Sequence, residues 1–181
     1  MRMAALLLAL LLAGCSKSSW HMTDITDGMP RLSFHMSQNG QPVTADAFRG
    51  KVVALYFGYT HCPDVCPATL ANLADMAAKL HSPDLTILFV TVDPDRDTDQ
   101  VLTDYAKAFS PQVVGLRGSA NELADLARRY RVAYTATKGP PYEVMHSNAV
   151  FFFDRDGRAR LVTTDTTDTA AMADDVKRLL N

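Results

Sequence analysis

Two cysteines separated by three residues are the side chains in this sequence best suited to carry chemistry. Cys62 and Cys66 stand within residues 58–70, GYTHCPDVCPATL. Thiolates attack disulfides and bind soft metal ions, so a close thiol pair indicates either redox chemistry or metal binding. A lone structural disulfide is a third interpretation, but across so small a loop it would restrict the unfolded chain little. The sequence therefore favours a reactive pair.

The elements on either side place this pair where a strand meets a helix. An apolar run at residues 52–57 predicts a buried strand before the cysteines. Proline is tolerated only in the first turn of a helix, so Pro67 puts Cys66 at or beside the N-cap and Cys62 in the preceding turn. Unpaired N–H groups and the helix dipole lower the pKa of nearby thiols. We therefore expect both thiols to be reactive.

The order of the predicted elements indicates an α/β fold. Strands are predicted over residues 31–36, 52–57, 85–92, 113–116, 147–153 and 158–163. Helices are predicted after Pro67, after Asp97 or Thr98, after a capping box of Ser119 and Glu122, and over residues 169–180. Crossover helices require parallel strands, and the last two strands form an antiparallel hairpin.

This order fits a thioredoxin-like fold, in which a central, mostly parallel sheet with an antiparallel hairpin is flanked by helices. In that fold the active cysteines lie where the first core strand meets the first helix. Asn39-Gly40 predicts a separate hairpin turn near the N-terminus. Residues 131–144 lack periodicity and contain Gly-Pro-Pro, so we expect an irregular loop there.

The N-terminus has the features of a lipoprotein signal peptide. Arg2 precedes an apolar run at residues 4–13, which is shorter than the about 20 residues that a membrane span needs. The run ends in Leu-Ala-Gly-Cys15, which resembles the bacterial processing box whose cysteine becomes the acylated first residue. An ordinary signal peptide is the alternative. We therefore expect a signal peptide at residues 1–14, lipidation of Cys15, a tether over residues 15–28 and one domain over residues 29–181.

These features point to the periplasm and exclude some partners. A lipid anchor places the thiol pair outside the cytosol, where thiols are readily oxidised, and leaves the choice of inner or outer membrane open. A formal net charge of −2 provides no basic surface, so no nucleic acid partner is expected.

A third donor would complete a metal site with the two thiols. Among the five histidines, His146 is the main candidate because it lies between an irregular segment and a predicted buried strand. A core histidine bonded to the backbone is the alternative for His146, and His61, whose side chain should diverge from the sulfurs, is the other candidate ligand. Two thiolates and an imidazole favour copper or zinc, and copper by the order of affinities.

Three motifs in the expected order resemble the Sco/SenC family of thioredoxin-fold copper proteins of cytochrome c oxidase assembly. They are GYTHCPDVCPATL, VDPDRDT at residues 92–98, and a histidine-serine pair followed by an apolar strand and D-x-x-G at residues 146–157. The resemblance covers about residues 29–177. It implies that Cys62, Cys66 and His146 bind Cu(I) and Cu(II).

The resemblance also implies a function and partners. A membrane-tethered periplasmic copper chaperone would act on the CuA domain of cytochrome c oxidase subunit II, with another periplasmic copper carrier or a thiol oxidoreductase as a further partner. A thiol-disulfide reductase for the CuA-site cysteines, or a redox sensor, is the alternative, in which Cys62 and Cys66 form a redox disulfide. Enzymatic activity stays open, and the chaperone interpretation argues against it.

Three further residues near these motifs have structural interpretations. Met145 stands where many family members carry an acid before the histidine; we expect a packed side chain, with a soft copper donor as the alternative. Asp64 is expected to stabilise the first helical turn, with a role in shaping a partner interface as the alternative. Asp93 is expected to form an Asp-Pro turn, with a role beside the metal as the alternative.

Overall fold

The computed structural model describes residues 19–137 and 139–181, within which the chain forms ten strands and four α-helices. The strands are β1 (Thr23–Asp24), β2 (His35–Gln38), β3 (Gln41–Thr44), β4 (Val52–Gly58), β5 (Leu85–Thr91), β6 (Val113–Leu116), β7 (Tyr134–Thr137), β8 (Glu143–His146), β9 (Val150–Phe153) and β10 (Ala159–Thr163). The helices are α1 (Val65–Leu80), α2 (Asp99–Phe109), α3 (Ala120–Arg129) and α4 (Thr169–Leu180), with a 3-10 helix at Ala45–Phe48.

Six strands form the central sheet, in the order β1-β10-β9-β4-β5-β6. β4, β5 and β6 are parallel neighbours, and the β9–β10 hairpin joins them with β9 antiparallel to β4. Consequently β4, β5, β6 and β10 run in one direction and β1 and β9 in the other. The predicted α/β, thioredoxin-like fold is confirmed.

The two faces of the sheet are covered by different helices because alternate residues of each strand point to opposite sides. Ala54 and Tyr56 of β4 face the core formed with α1, α2 and α4. Leu55 and Phe57 face a second core, formed with α3 and the β2–β3 hairpin. Every residue of β4 and β5 is buried, as expected for strands covered on both faces. The C-terminal end of β4 is therefore a rigid base for the segment that follows it.

The predicted helix caps are present. The Thr98 side chain accepts a hydrogen bond from the Val101 N–H at the start of α2. Ser119 and Glu122 form the reciprocal capping box of α3. Asp97, the other candidate cap of α2, instead accepts hydrogen bonds from Thr60. This side chain therefore serves the segment before the cysteines rather than the helix that follows it.

Two of the predicted secondary-structure segments differ markedly from the structure. The strand expected over residues 31–36 is found at His35–Gln38, where pairing with β3 through the Asn39-Gly40 turn sets its bounds. The loop expected over residues 131–144 is wrong, since β7 and β8 form an antiparallel hairpin there. No side chain of β7 or β8 is buried, so the sequence of this hairpin lacks the apolar run that marks the central strands.

The N-terminal segment is attached to the edge of the domain. Thr23 and Asp24, within the predicted tether, pair with β10 as strand β1. The buried Asp175 carboxylate accepts hydrogen bonds from the His21 and Met22 N–H groups, both 2.8 Å long. The predicted signal peptide and Cys15 lie outside the described residues, so lipidation stays a prediction. Along residues 19–137 and 139–181, no helix combines the length and apolar character needed to span a membrane.

Candidate metal centre

The two cysteines lie at the C-terminal end of β4, as the sequence predicts. Cys66 is the second residue of α1 and is fully buried, whereas Cys62 lies in the preceding turn and is half-buried. Both are free thiols, and the Cys66 N–H donates to Cys62 Sγ at 3.4 Å. A helix N-terminus thus donates to the more exposed sulfur.

The two thiols differ in acidity, which corrects the expectation that both have a lowered pKa. Burial acts to raise the pKa of Cys62, but backbone N–H groups of Asp64 and Cys66 donate to its sulfur and leave the pKa below its usual value. Burial raises the pKa of the Cys66 thiol to about 12. The helix N-terminus therefore lowers the pKa of Cys62, which lies outside the helix. At Cys66, inside the helix, burial raises the pKa by more than the helix N-terminus lowers it.

His146 reaches the buried thiol from the end of β8. Its Nε2 lies 3.2 Å from Cys66 Sγ, and its Nδ1 lies 2.9 Å from the Ser147 carbonyl oxygen. A carbonyl oxygen can only accept, so Nδ1 carries the proton and Nε2 presents its lone pair towards the sulfur. Burial lowers the pKa of His146, although the hydrogen bond to Ser147 acts against it. The neutral imidazole is the form that binds metal ions.

The three predicted ligands come together in the structure. One donor atom from each of Cys62, Cys66 and His146 lies within 4.8 Å of the other two. The rings of Tyr56 and Tyr59 meet the imidazole at centroid distances of 6.0 and 5.9 Å, the latter nearly perpendicular. Two sulfur donors and one imidazole nitrogen, enclosed by aromatic rings, form a donor set suited to copper or zinc.

His61 belongs to a different cluster, with Asp93 and Asp97. Its Nδ1 lies 3.1 Å from Thr60 Oγ1 and 3.4 Å from Asp97 Oδ1, so its side chain diverges from the sulfurs as expected. Protein donors already engage both carboxylates, since Tyr142 and Arg96 contact Asp93 and Thr60 donates to Asp97. Occupied oxygens of this kind leave the cluster poorly suited to an ion.

The residues flanking the site depart in part from expectation. Met145 is 68% exposed, so the expectation of a packed side chain is wrong: His146 points inward from β8 and the alternation of the strand turns Met145 outward. Asp64 is the N-cap of α1, but its side chain makes no capping hydrogen bond. Asp93 forms the predicted turn through its carbonyl, which accepts from the Arg96 and Asp97 N–H groups.

Several side chains around the site were not identified from the sequence. Tyr56 and Tyr59 contact the imidazole, but in the sequence they were interpreted only as a strand residue and a turn residue. Tyr142 and Arg96 lie in segments interpreted as loops, and only the structure brings their side chains into contact, with the Arg96 Cζ 4.0 Å from the ring centroid of Tyr142. The position of Arg96 within the VDPDRDT motif was the available signal, and for Tyr142 there was none.

We expect Cys62 to be alkylated on the order of a hundredfold faster than Cys66 at pH 7 in the reduced, metal-free protein, because the thiolate is the reacting species. The labelling rate of Cys62 should rise with pH through a midpoint below that of an ordinary thiol, whereas Cys66 stays protonated up to a pH of about 12. Iodoacetamide labelling of a Cys15→Ser variant, read by peptide mass spectrometry, measures both rates. Equal rates would contradict the assignment.

Comparison with known proteins identifies the family. A sequence profile described as SCO1/SenC matches residues 31–181, which is most of the chain. The chain belongs to the SCO1/SenC family. The resemblance seen in the three sequence motifs is thereby confirmed, and the match includes every strand of the central sheet except β1.

The relatives of this SCO1/SenC protein include mitochondrial homologs and proteins of known structure. The chain is 37% identical over 164 residues to the mitochondrial SCO2 homolog of Mus musculus, covering 82% of this chain and 64% of that protein. The crystal structure of Arabidopsis thaliana ScoI with copper bound is 34% identical, with a TM-score of 0.76 over 83% of this chain and 97% of that one. The solution structures of apo Sco1 from Thermus thermophilus match with a TM-score of 0.80 at 33% identity, covering 91% of this chain and 99% of that one. The chain spans less than two thirds of the length of the curated relatives first matched.

Proposed function

We propose that this SCO1/SenC protein is a lipid-anchored periplasmic copper chaperone that serves assembly of the CuA centre in cytochrome c oxidase subunit II. Copper, its cargo, binds to Cys62, Cys66 and His146. The observation that carries the proposal is the convergence of two sulfurs and a neutral imidazole nitrogen within 4.8 Å. Soft thiolates select Cu(I), and the imidazole suits Cu(II) as well. The copper-bound Arabidopsis relative supports this choice of metal.

Exposure differs among the three ligands, and this suggests how cargo leaves. Cys66 is fully buried, whereas Cys62 and His146 are half-buried. An incoming ligand from the partner therefore meets the ion on the side of Cys62 and His146, and Cys66 is the last ligand to be exchanged. The lipid on Cys15 holds the domain at a periplasmic membrane surface, where subunit II and a copper carrier that supplies the ion are accessible.

The different acidities of the two thiols favour a second function, reduction of a partner disulfide. The Cys62 thiolate attacks one sulfur of the partner disulfide, forming a mixed disulfide and releasing the other sulfur as a thiolate. Cys66, after losing its proton, attacks Cys62 and releases the second partner thiol. The partner gains two electrons, and a Cys62–Cys66 disulfide forms, which a periplasmic thiol oxidoreductase reduces again. A nucleophile that is more acidic and less buried than the resolving thiol suits this sequence of steps.

Removal of the imidazole tests the chaperone proposal. We expect His146→Ala to lower copper affinity by about tenfold or more and to remove the thiolate-to-Cu(II) absorption of a full-chain Cys15→Ser protein, because two sulfurs alone disfavour Cu(II). Titration with Cu(I) and Cu(II) in mild detergent measures stoichiometry and absorption. His61→Ala is the matched control and should retain one tight equivalent, because its side chain diverges from the sulfurs.

The outcomes separate the two functions. Weaker copper binding and loss of the Cu(II) absorption in His146→Ala, with both unchanged in His61→Ala, support the chaperone. An unchanged copper stoichiometry and spectrum in His146→Ala would refute the proposed ligand set. A protein that binds no specific copper but reduces a partner disulfide, with or without His146, would instead support the reductase.

A further inference from the structure

The hairpin that carries His146 lies outside the central sheet. β7 and β8 form their own two-stranded sheet, with Tyr134 opposite His146 at one end and Thr137 opposite Glu143 at the other. At the His146 end the Ser147 N–H donates to the Ala133 carbonyl at 2.9 Å. This hydrogen bond fixes the position of the hairpin at its His146 end, but it does not fix the orientation of the two strands relative to the thiols. In the middle of β8 the Val144 carbonyl accepts a long hydrogen bond, 3.5 Å, from the Tyr59 hydroxyl. The direction of the imidazole depends on this contact and on further contacts at the other end of the hairpin.

Those contacts are made by Tyr142, which lies between the charged side chains of Asp93 and Arg96. Its hydroxyl donates to Asp93 Oδ1 at 2.6 Å, and the Arg96 guanidinium carbon lies 4.0 Å from its ring centroid. Arg96 is itself ion-paired with Asp93, whose side chain is 1% exposed. The hydrogen bond to a charged acceptor fixes the hydroxyl of Tyr142, and the cation packs on the face of its ring.

The same short segment also holds the part of the chain that leads to the cysteines. Asp97 Oδ2 accepts a hydrogen bond from the Thr60 N–H at 3.0 Å, and its Oδ1 accepts one from the Thr60 hydroxyl at 2.5 Å. Thr91 donates to the same carboxylate at 2.6 Å. Thr60 stands two residues before Cys62. Residues 93–97 therefore connect both halves of the metal centre: the cysteine turn through Asp97 and the His146 hairpin through Tyr142.

We propose that Tyr142, clasped between Asp93 and Arg96, is a positioning residue that holds the β7–β8 hairpin so that His146 Nε2 stays within reach of Cys66 Sγ. The inference rests on the proposed function, since it assigns Tyr142 a role in holding copper. Tyr142 itself lies outside the ligand set, and it acts through the strand that joins it to His146. It therefore sets how long the ion stays bound rather than which ion binds.

Graded substitutions at Tyr142 test this role. Tyr142→Phe removes the hydrogen bond to Asp93 but keeps the ring under Arg96, and Tyr142→Ala removes both. We expect Tyr142→Ala to speed amide hydrogen exchange in β7 and β8 of the metal-free protein by more than about tenfold, because loss of one charge-assisted hydrogen bond alone corresponds to about tenfold and this variant also loses the contact of the ring with Arg96. Exchange in β4 and β5 should not change. Tyr142→Phe should lie between Tyr142→Ala and the unsubstituted protein.

Copper release provides the second readout. Transfer of Cu(I) to bathocuproine disulfonate should be about tenfold faster from Tyr142→Ala than from the unsubstituted chain, in the same order as the exchange rates. The matched control is Tyr134→Phe, because Tyr134 is on the same hairpin and its hydroxyl makes no hydrogen bond to another described residue. The control should release copper at the unsubstituted rate.

The experiment distinguishes failure of this inference from failure of the proposed function. Unchanged exchange and release in Tyr142→Ala would overturn the positioning role, as would faster exchange spread equally over β4 and β5, which indicates a general loss of stability. If the unsubstituted protein binds no copper, the proposed function fails, and local exchange in the hairpin still decides whether Tyr142 positions His146.

Discussion

Cys66→Ser is expected to lower the affinity for Cu(I) on the order of a thousandfold, about 4 kcal/mol, because a soft ion loses one of its two thiolates to a hard, neutral hydroxyl. The effect should exceed that of His146→Ala, since the imidazole is the less essential donor for Cu(I). Burial adds to it, because the fully buried Cys66 position admits no water to replace the lost donor. Competition with a Cu(I) chelator of known affinity measures the difference.

A serine introduced elsewhere in the same helical turn provides the control. Ala68 is exposed and two residues beyond Cys66, so Ala68→Ser adds a hydroxyl to the turn without touching a ligand. It should bind Cu(I) as the unsubstituted protein does. Retention of tight Cu(I) binding in Cys66→Ser would contradict the ligand set, and a parallel loss in Ala68→Ser would indicate a disturbed helix instead.

Local sequence patterns were sufficient to predict the elements that hold the thiols. The apolar run of β4 and the capping box at Ser119 and Glu122 each act over a few residues, and the strand and the cap are present as predicted. Pro67 lies in the first turn of α1 as expected, but the N-cap is Asp64, two residues before Cys66. Crossover helices then left few arrangements for β4, β5 and β6. The position of Cys62 and Cys66 at the end of a buried strand followed from these local signals.

Contacts between distant segments could not be predicted in the same way. The contact of His146 with Cys66 joins residues 80 positions apart, and chain geometry alone left a backbone-bonded core histidine as an equal alternative. The raised pKa of Cys66 depends on how deeply the second residue of α1 is buried. The prediction from the helix dipole took no account of this burial. Residue type at one position says little about the packing of segments that meet only in the folded state.

The strand that ends in Gly58 shows how close packing shapes this site. A Cβ atom at position 58 would lie 2.6 Å from Phe89 Cε2 and 3.0 Å from Cys66 Sγ. The first of these separations is shorter than carbon atoms tolerate, so one of the two must move. Phe89 has little room to do so, because its ring is fully buried and packs against Tyr56 and Tyr105 at centroid distances of 6.0 and 5.6 Å. Glycine at this position thus allows the strand to pass directly beneath the buried thiol.

Gly58→Ala is therefore expected to disturb stability and copper binding together. Overpacking of a core position costs about 1–3 kcal/mol of unfolding free energy. Displacement of Cys66 Sγ should lower Cu(I) affinity on the order of ten- to a hundredfold, as is typical when a group that orients a ligand is changed. Urea unfolding of the metal-free protein and chelator competition measure the two effects separately.

Gly28→Ala is the matched control, because a Cβ there would make only an ordinary 3.4 Å contact with the Ile25 carbonyl oxygen. It should change neither quantity. If Gly58→Ala were destabilised by the expected amount but bound Cu(I) with unchanged affinity, the strain would have been relieved at Phe89 alone. The position of the buried sulfur would then not depend on the close approach of β4, and the sulfur would be held by α1 and His146.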